Sequence, residues 1–207
     1  MALGSNTYVH DFHGCDDLYI AAVTKDNNVV GEGYVTGTVY KLAPLGEISK
    51  TTEQSSMTKY YDNNTAYTIS AEGPDTITLQ IPPLNLANLA AILGKSYSAT
   101  TGSMSDTEGT PSYFALGYRL GLSDGSYRYG WKFKGTFQIP DEGSATRDNG
   151  TDVQGQTLIY TSIRTIHEFT SGGASKGIEV DSRDGLANLA SFFSTVTTPD
   201  TITAVTP

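Results

Sequence analysis

The strongest constraint on the fold is a stretch of strict alternation between residues 127 and 139. Its odd positions are mostly aromatic or aliphatic, and its even positions are mostly polar, with Arg128, Lys132 and Lys134 among them. Period-two alternation is typical of a strand with one buried face and one solvent-exposed face. Residues 114–122 alternate in the same way, and Asp124-Gly125 between the two stretches is a turn signal. The pattern predicts a long β-hairpin.

Further strands are predicted at residues 18–24, 38–42, 65–71, 76–81 and 157–166, where β-branched and aromatic residues cluster. A turn at residues 72–75 separates the third from the fourth. The 22 Gly and 13 Tyr also favour β structure with many turns over an all-α fold. We therefore predict a mainly β chain of one domain.

Two short helices are expected beside the strands. The first follows Pro83 and stops at Gly94, and the second begins at Asp184. Both contain the pentapeptide Leu-Ala-Asn-Leu-Ala, at residues 86–90 and 186–190. We interpret this repeat as a coincidence, because the sequence around the two copies does not match.

Three segments are unusually polar: residues 50–64, 96–112 and 194–207. Polar loops of this length are uncommon in a compact domain unless they have a use. Residues 50–64 are either solvated and disordered or an arm that becomes ordered against a neighbouring subunit. The paired aromatics Tyr60 and Tyr61 favour the arm, since such side chains suit an interface better than open water.

The net charge of −9 argues against tight nucleic-acid binding, which needs a basic patch. It is compatible with a surface past which DNA slides without sticking. Lone Cys15 excludes an intrachain disulfide. The first residues lack the features of a signal peptide, and no apolar run reaches the length of a membrane span. We therefore expect synthesis in a cytoplasm and no membrane partner.

The even face of residues 127–134 is the one basic concentration in this acidic chain. Arg128, Lys132 and Lys134 form either an ordinary solvated strand face or a contact between subunits. A contact between subunits would need an acidic surface on the neighbouring copy, and residues 1–111 hold 12 acidic against 5 basic residues. Complementary patches on one chain suit head-to-tail assembly.

The residues that could carry chemistry are few. His10, His13, Cys15 and Asp16 lie close in the sequence, but their spacing does not match structural zinc sites, which need a second ligand pair. The chain has neither a Gly-x-Ser-x-Gly nucleophile motif nor a phosphate-binding glycine loop with the required spacing. We expect no metal, no cofactor and no enzymatic activity.

A series of individually weak motifs runs through residues 18–166 in a characteristic order. It comprises Val23-Thr24-Lys25-Asp26, Tyr60-Tyr61-Asp62, Thr76-Ile77-Thr78-Leu79, Leu93-Gly94, Gly117-Tyr118-Arg119, Asp124-Gly125, Trp131-Lys132-Phe133-Lys134-Gly135, Ile139-Pro140, Thr146-Arg147 and the strand from Thr157 to Arg164. In this order and spacing the chain resembles the major tail proteins, or tail tube proteins, of long non-contractile-tailed bacteriophages of Gram-positive bacteria.

The resemblance implies a β-sandwich or half-barrel with a flanking helix. It also implies hexameric rings that stack into a hollow tube for DNA ejection, located in the virion tail. Expected partners are further copies of the chain, the tape-measure, tail-tip and tail-terminator proteins, and DNA in transient passage. The expected organisation is an N-terminal arm (1–17), a β domain (18–194) with an inter-ring loop (46–64), and a C-terminal tail (195–207). Together with the cationic face, the loop gives these candidate interface residues: Lys50, Glu53, Lys59, Tyr60, Tyr61, Asp62, Arg128, Lys132 and Lys134.

Other functions remain open from the sequence. The first alternative is a β-sandwich module that binds carbohydrate or a cell surface, which would need exposed aromatics in a groove. A different virion structural protein, such as a head–tail joining or decoration protein, would share the β-rich, acidic, cysteine-poor profile. An enzyme on a β scaffold has the least support.

Overall fold

The computed structural model describes residues 10–28, 33–141, 143 and 155–205. The chain is mainly β and its principal sheet is antiparallel, which confirms the predicted fold class. The strands are β1 Phe12–Asp26, β2 Tyr34–Thr36, β3 Tyr40–Ala43, β4 Glu47–Tyr61, β5 Asn64–Ile81, β6 Ser96–Ser98, β7 Ser103–Ser105, β8 Phe114–Leu122, β9 Tyr127–Phe137, β10 Gln156–Ile163, β11 Glu168–Phe169, β12 Gly173–Ala174 and β13 Gly177–Asp181. The α-helix α1 spans Leu86–Leu93, and a 3-10 helix spans Ser182–Asp184.

The predicted central hairpin is confirmed as β8 paired with β9. At its turn, Gly125 adopts a φ of 83°, and Asp124 accepts a hydrogen bond of 2.9 Å from the Ser126 amide. The second strand ends at Phe137, two residues before the predicted end, and Ile139 beyond it is 70% exposed.

The main sheet has the strand order β2-β1-β8-β9-β10-β5-β4, with β3 also paired to β1. The sheet forks along β9. Residues 128–132 of β9 pair with β13, whereas residues 134–137 pair with β10. The strands β13 and β10 therefore pair with consecutive parts of β9.

Two apolar clusters cover the sheet, and both faces of β9 are buried. One cluster includes Leu79, Leu116 and Tyr160 with the helix α1, and the other includes Trp131 and Phe133. The prediction that β9 has one solvent-exposed face is wrong, because the side chains of Lys132 and Lys134 are only 8% and 9% exposed. Their charges are compensated by buried carboxylates from distant strands.

The first predicted helix is confirmed as α1. Asn85 caps it by accepting a hydrogen bond of 2.8 Å from the Asn88 amide, and Gly94 ends it with a φ of 68°. The second predicted helix is wrong, since Ala187 forms an isolated bridge with Ala204, its neighbours at 185–189 have no regular secondary structure and residues 190–196 form turns. Phe192 is nevertheless buried, and its carbonyl accepts a hydrogen bond of 2.9 Å from Trp131 Nε1.

The polar segments are more regular than the sequence predicts. Residues 46–64, expected to form a loop, lie almost entirely in β4, and β4 pairs along its length with β5. The turn predicted at residues 72–75 is also wrong, because β5 continues through it. Residues 96–112 include the small hairpin of β6 and β7. At the ends, β1 begins at Phe12 inside the segment expected to be an arm, and Val196 and Thr197 are buried.

Candidate functional site

The candidate site is the outer part of the β4–β5 hairpin, residues 53–72, which we call the ribbon. The β10–β5 ladder ends at the pair Ser162 and Asp75, so that beyond this point β4 is the only strand paired with β5 in the described part of the chain. Every residue of the ribbon is exposed except Thr58, which is half-buried. The ribbon is thus a two-stranded structure that projects from the domain with solvent on both faces.

The two faces of the ribbon differ in chemistry. Opposite residues of an antiparallel pair share a face, and the face alternates along each strand. Met57 pairs with Ile69, the pair Lys59 and Tyr67 lies on the same face, and the Tyr61 and Tyr67 ring centroids are 6.4 Å apart. We call Met57, Tyr61, Tyr67 and Ile69 the apolar face, which also carries Lys59. The opposite face carries hydroxyl side chains, at Ser56, Thr58, Thr68 and Ser70.

The turn at the tip fixes the register of the ribbon. Asp62 and Asn63 adopt φ values of 50° and 60°, and the Asn64 side-chain amide donates a hydrogen bond of 3.2 Å to the Asp62 carbonyl. Positive φ at both central residues is the geometry of the two-residue hairpin turn that matches strand twist. Asp and Asn tolerate this region better than other non-glycine residues.

A buried ion cluster lies at the base of the ribbon. Asp75 accepts hydrogen bonds from Lys132 at 2.8 Å, from Lys176 at 2.6 Å and from the Thr52 hydroxyl at 3.0 Å. Burial alone would raise the pKa of Asp75, but the hydrogen bonds from the two ammonium groups outweigh it and lower the pKa to about 2. Nearby, Lys50 donates to Glu179 at 2.7 Å.

The structure divides the predicted interface residues into two groups. Six of them lie together on β4 and the turn that follows it: Lys50, Glu53, Lys59, Tyr60, Tyr61 and Asp62. Tyr60 and Tyr61 are 65% and 61% exposed.

The three predicted cations of β9 lie elsewhere and are paired within the chain. Arg128 binds Asp181 through two hydrogen bonds of 2.7 and 2.9 Å. Lys132 binds Asp75, and Lys134 binds Asp26 at 2.6 Å. Because Lys132 and Lys134 are buried with these carboxylates, the prediction that they form a solvated or partner-facing surface is wrong.

Sequence analysis missed part of the ribbon. Met57 fell in a segment assigned as loop, and Tyr67 and Ile69 were assigned to a separate strand at residues 65–71. The alternation of Tyr67 and Ile69 with Thr68 and Ser70 was a usable signal for an amphipathic ribbon. Asp75 was placed in a turn, and nothing local marks it as a partner of Lys132.

The N-terminal histidines do not combine with Cys15 into a binding site. His10 Nε2 lies 3.5 Å from a carboxylate oxygen of Asp124. Burial, followed by the charges of Asp16 and Glu47, raises the pKa of the Cys15 thiol. Over the described residues, no group of three or more His, Cys, Asp and Glu side chains is arranged to hold a metal ion.

The fold and the ribbon define a mainly β protein that presents an exposed amphipathic hairpin. No family model matches the sequence, and no curated protein matches it at a significant level. None of the helices in the described part of the chain has the length and apolar character needed to cross a bilayer.

Proposed function

We propose that this chain is a structural subunit of a bacteriophage tail tube, which forms hexameric rings that stack into a conduit for DNA ejection. The observation that carries the proposal is the unpartnered apolar face of the ribbon, formed by Met57, Tyr61, Tyr67 and Ile69. In this proposal the ribbon contacts a second copy of the chain in the adjacent ring, and the protein catalyses no reaction.

The energetics of the ribbon support a partner. A two-stranded hairpin with solvent on both faces is marginally stable in water. The ribbon nevertheless keeps Met57, Ile69 and Tyr67 57%, 56% and 47% exposed on one face. Covering these side chains would stabilise the ribbon by removing apolar area from water, at roughly 25 cal/mol per Å². Clustered exposed apolar side chains are a mark of interaction surfaces.

The edges of the sheet support repeated assembly. β4 and β2 are the two terminal strands of the main sheet, and β4 extends over 15 residues. The outer edge of such a strand has unpaired backbone groups, which invite pairing unless they are covered. In this proposal the acceptor is a surface of the chain other than the ribbon, so that the contact is heterologous and generates rings or open stacks.

The charge of the chain is compatible with a conduit. A net charge of −9 over 207 residues repels the phosphate backbone in general. A tube built from many such subunits would let DNA pass without holding it.

Negative-stain electron microscopy of the purified chain across a concentration series tests this proposal. Samples are examined alone and with a tape-measure or initiator fraction. Hollow tubes or six-fold rings are expected, and tubes that lengthen with concentration separate a tube subunit from a head–tail joining protein, which stops at one ring. A monomer at all concentrations, with the initiator present, would contradict the proposal.

One observation favours a second candidate, a carbohydrate-binding module. The rings of Tyr60, Tyr61 and Tyr67 are exposed at the end of the ribbon and are available to stack on a sugar. A glycan array distinguishes the candidates, since binding that is lost in Tyr61→Ala and Tyr67→Ala, by a chain that forms no rings, would favour the module.

A further inference from the structure

The ribbon leaves the domain at an irregularity in the β4–β5 ladder. Thr52 pairs with Asp75, but the next pair is Gln54 with Glu72, so that two residues of β5 oppose Glu53 alone. This arrangement is a β-bulge, which bends the strand and increases its local twist. The two residues that oppose Glu53 are Gly73 and Pro74, and proline cannot donate a ladder hydrogen bond.

The bulge coincides with the end of lateral support. The last pair between β5 and β10 is Asp75 with Ser162. From Pro74 outward the ribbon has no third strand beside it among the described residues. A two-stranded ribbon joined to a sheet through a bulge would pivot at that point unless another group held it.

Lys176 contacts the ribbon at this pivot. Its ammonium lies 2.7 Å from Glu72 Oε1, 3.0 Å from the Gly73 carbonyl oxygen and 2.6 Å from Asp75 Oδ1. An ammonium has three hydrogens to donate, and its three partners belong to β5: Gly73 lies in the bulge, and Glu72 and Asp75 lie on either side of it. The side chains of Lys176 and Asp75 are 9% and 3% exposed, so the bond between them is little screened by solvent, whereas Glu72 is 47% exposed and its bond to Lys176 is screened more.

Lys176 is itself fixed to the domain. It precedes β13, and its carbonyl accepts a hydrogen bond of 2.9 Å from the Phe133 amide of β9. The following residue, Gly177, pairs with Lys132 in the β13–β9 ladder. Because β9 is buried on both faces, the backbone of Lys176 is anchored to the core of the domain.

We propose that Lys176 is a positioning residue that clamps the bulge and sets the direction in which the ribbon projects. Glu72 and Asp75 are the acceptors through which it acts, and Lys132 holds Asp75 from the other side. The clamp is a property of the single chain and does not depend on the proposed assembly, so its failure and the failure of the tube proposal are distinguishable.

Spin-label distance measurement by double electron–electron resonance tests the clamp. The chain carries Cys15→Ser, with labels at Ser56→Cys on the ribbon and Thr195→Cys in the C-terminal segment. Ser56 is exposed on the hydroxyl face, and Thr195 is exposed beside the buried Val196. Labelled chains are diluted with unlabelled chains so that only distances within one copy contribute. Lys176→Met is expected to shift and broaden the distance distribution.

Lys134→Met is the matched control. Lys134 and Lys176 are both 9% exposed, and each makes a bond of 2.6 Å to a buried aspartate, but Lys134 binds Asp26 away from the ribbon. This variant is expected to lose stability and to keep the parent distribution. An unchanged distribution in Lys176→Met, or an equal broadening in both variants, would overturn the proposal. If Lys176→Met does not fold, Glu72→Gln is compared with Arg164→Met, because Arg164 also binds Glu72, at 3.1 Å. A broadened distribution in Glu72→Gln and not in Arg164→Met supports the clamp, and broadening in neither or in both overturns it.

Discussion

Lys132 Nζ lies 2.8 Å from Asp75 Oδ2, and the two side chains are only 8% and 3% exposed. They come from β9 and β5, which are not neighbours in the sheet. The pair ties the central strand to the strand that carries the ribbon, at the fork where β13 and β10 separate.

Asp75→Asn is expected to lower the free energy of unfolding by about 3 kcal/mol or more, because it leaves two buried ammonium groups without their shared carboxylate. Chemical denaturation followed by tryptophan fluorescence measures the change. Asp184→Asn is the control, since that carboxylate is 57% exposed and its contact with Arg183 is 3.8 Å long. A difference between the two variants below about 0.5 kcal/mol would be inconsistent with a structural role for the buried pair.

The same pair predicts loss of stability in acid. The folded-state pKa of Asp75 is about 2, below the ordinary value near 4, so the unfolded chain binds more protons in this interval. The contribution of Asp75 is therefore fully present above about pH 4 and is lost as the pH falls towards 2. Denaturation curves between pH 5 and pH 2.5 should show a steeper decline in the parent than in Asp75→Asn. Parallel pH profiles would refute this assignment.

Gly117→Ala tests the packing of the central hairpin. A Cβ at this position would lie 2.9 Å from Trp131 Cη2, and Trp131 is fully buried. We expect a loss of about 1–3 kcal/mol, the usual cost of overpacking a core. Gly37→Ala is the matched control, because its Cβ would meet only the Ala22 carbonyl oxygen at 3.7 Å. Equal stabilities of the two variants would count against the packing described for β8 and β9.

Substitutions on the two faces of the ribbon test whether the apolar face forms the contact between copies of the chain. Ile69→Thr removes part of the apolar face and should raise the concentration needed for assembly roughly tenfold or more, since burying such a side chain contributes about 1.5–3 kcal/mol. Ser70→Thr, on the hydroxyl face, should assemble like the parent. Sedimentation of assembled material against protein concentration measures both. Similar behaviour of the two variants would mean that the apolar face is not the contact.

The sequence predicts the central hairpin and α1 because their signals are local: alternation, a turn dipeptide, a helix cap and a terminating glycine. Prediction from the sequence fails where the environment of a residue is determined by residues far away in the chain. The alternating pattern indicated that Lys132 and Lys134 are exposed to solvent. In the structure they bind Asp75 and Asp26, which are 57 and 108 residues away in the chain. The Gly73-Pro74 pair signalled a turn and instead forms a bulge inside a continuous strand.

The repeated pentapeptide is a second case in which residues far away in the chain determine the local structure. At residues 86–90 it begins α1, where Asn85 caps the helix and Gly94 closes it. At residues 186–190 it follows Gly185 with a φ of 61°, and Ala187 bridges to Ala204. Pairing with the C-terminal segment overrides the helix propensity of the same five residues. The ribbon was missed for a related reason, since its stabilising pairs join strands across the hairpin rather than within one local pattern.

The most direct test of the central claim compares the full chain with one in which residues 54–72 are replaced by a short turn, both examined by negative-stain electron microscopy at matched concentrations. The shortened chain keeps the core strands, so circular dichroism and thermal unfolding should show a folded β protein. The account predicts stacked tubes from the full chain and no stacking from the shortened one. Normal tubes from the shortened chain would contradict it.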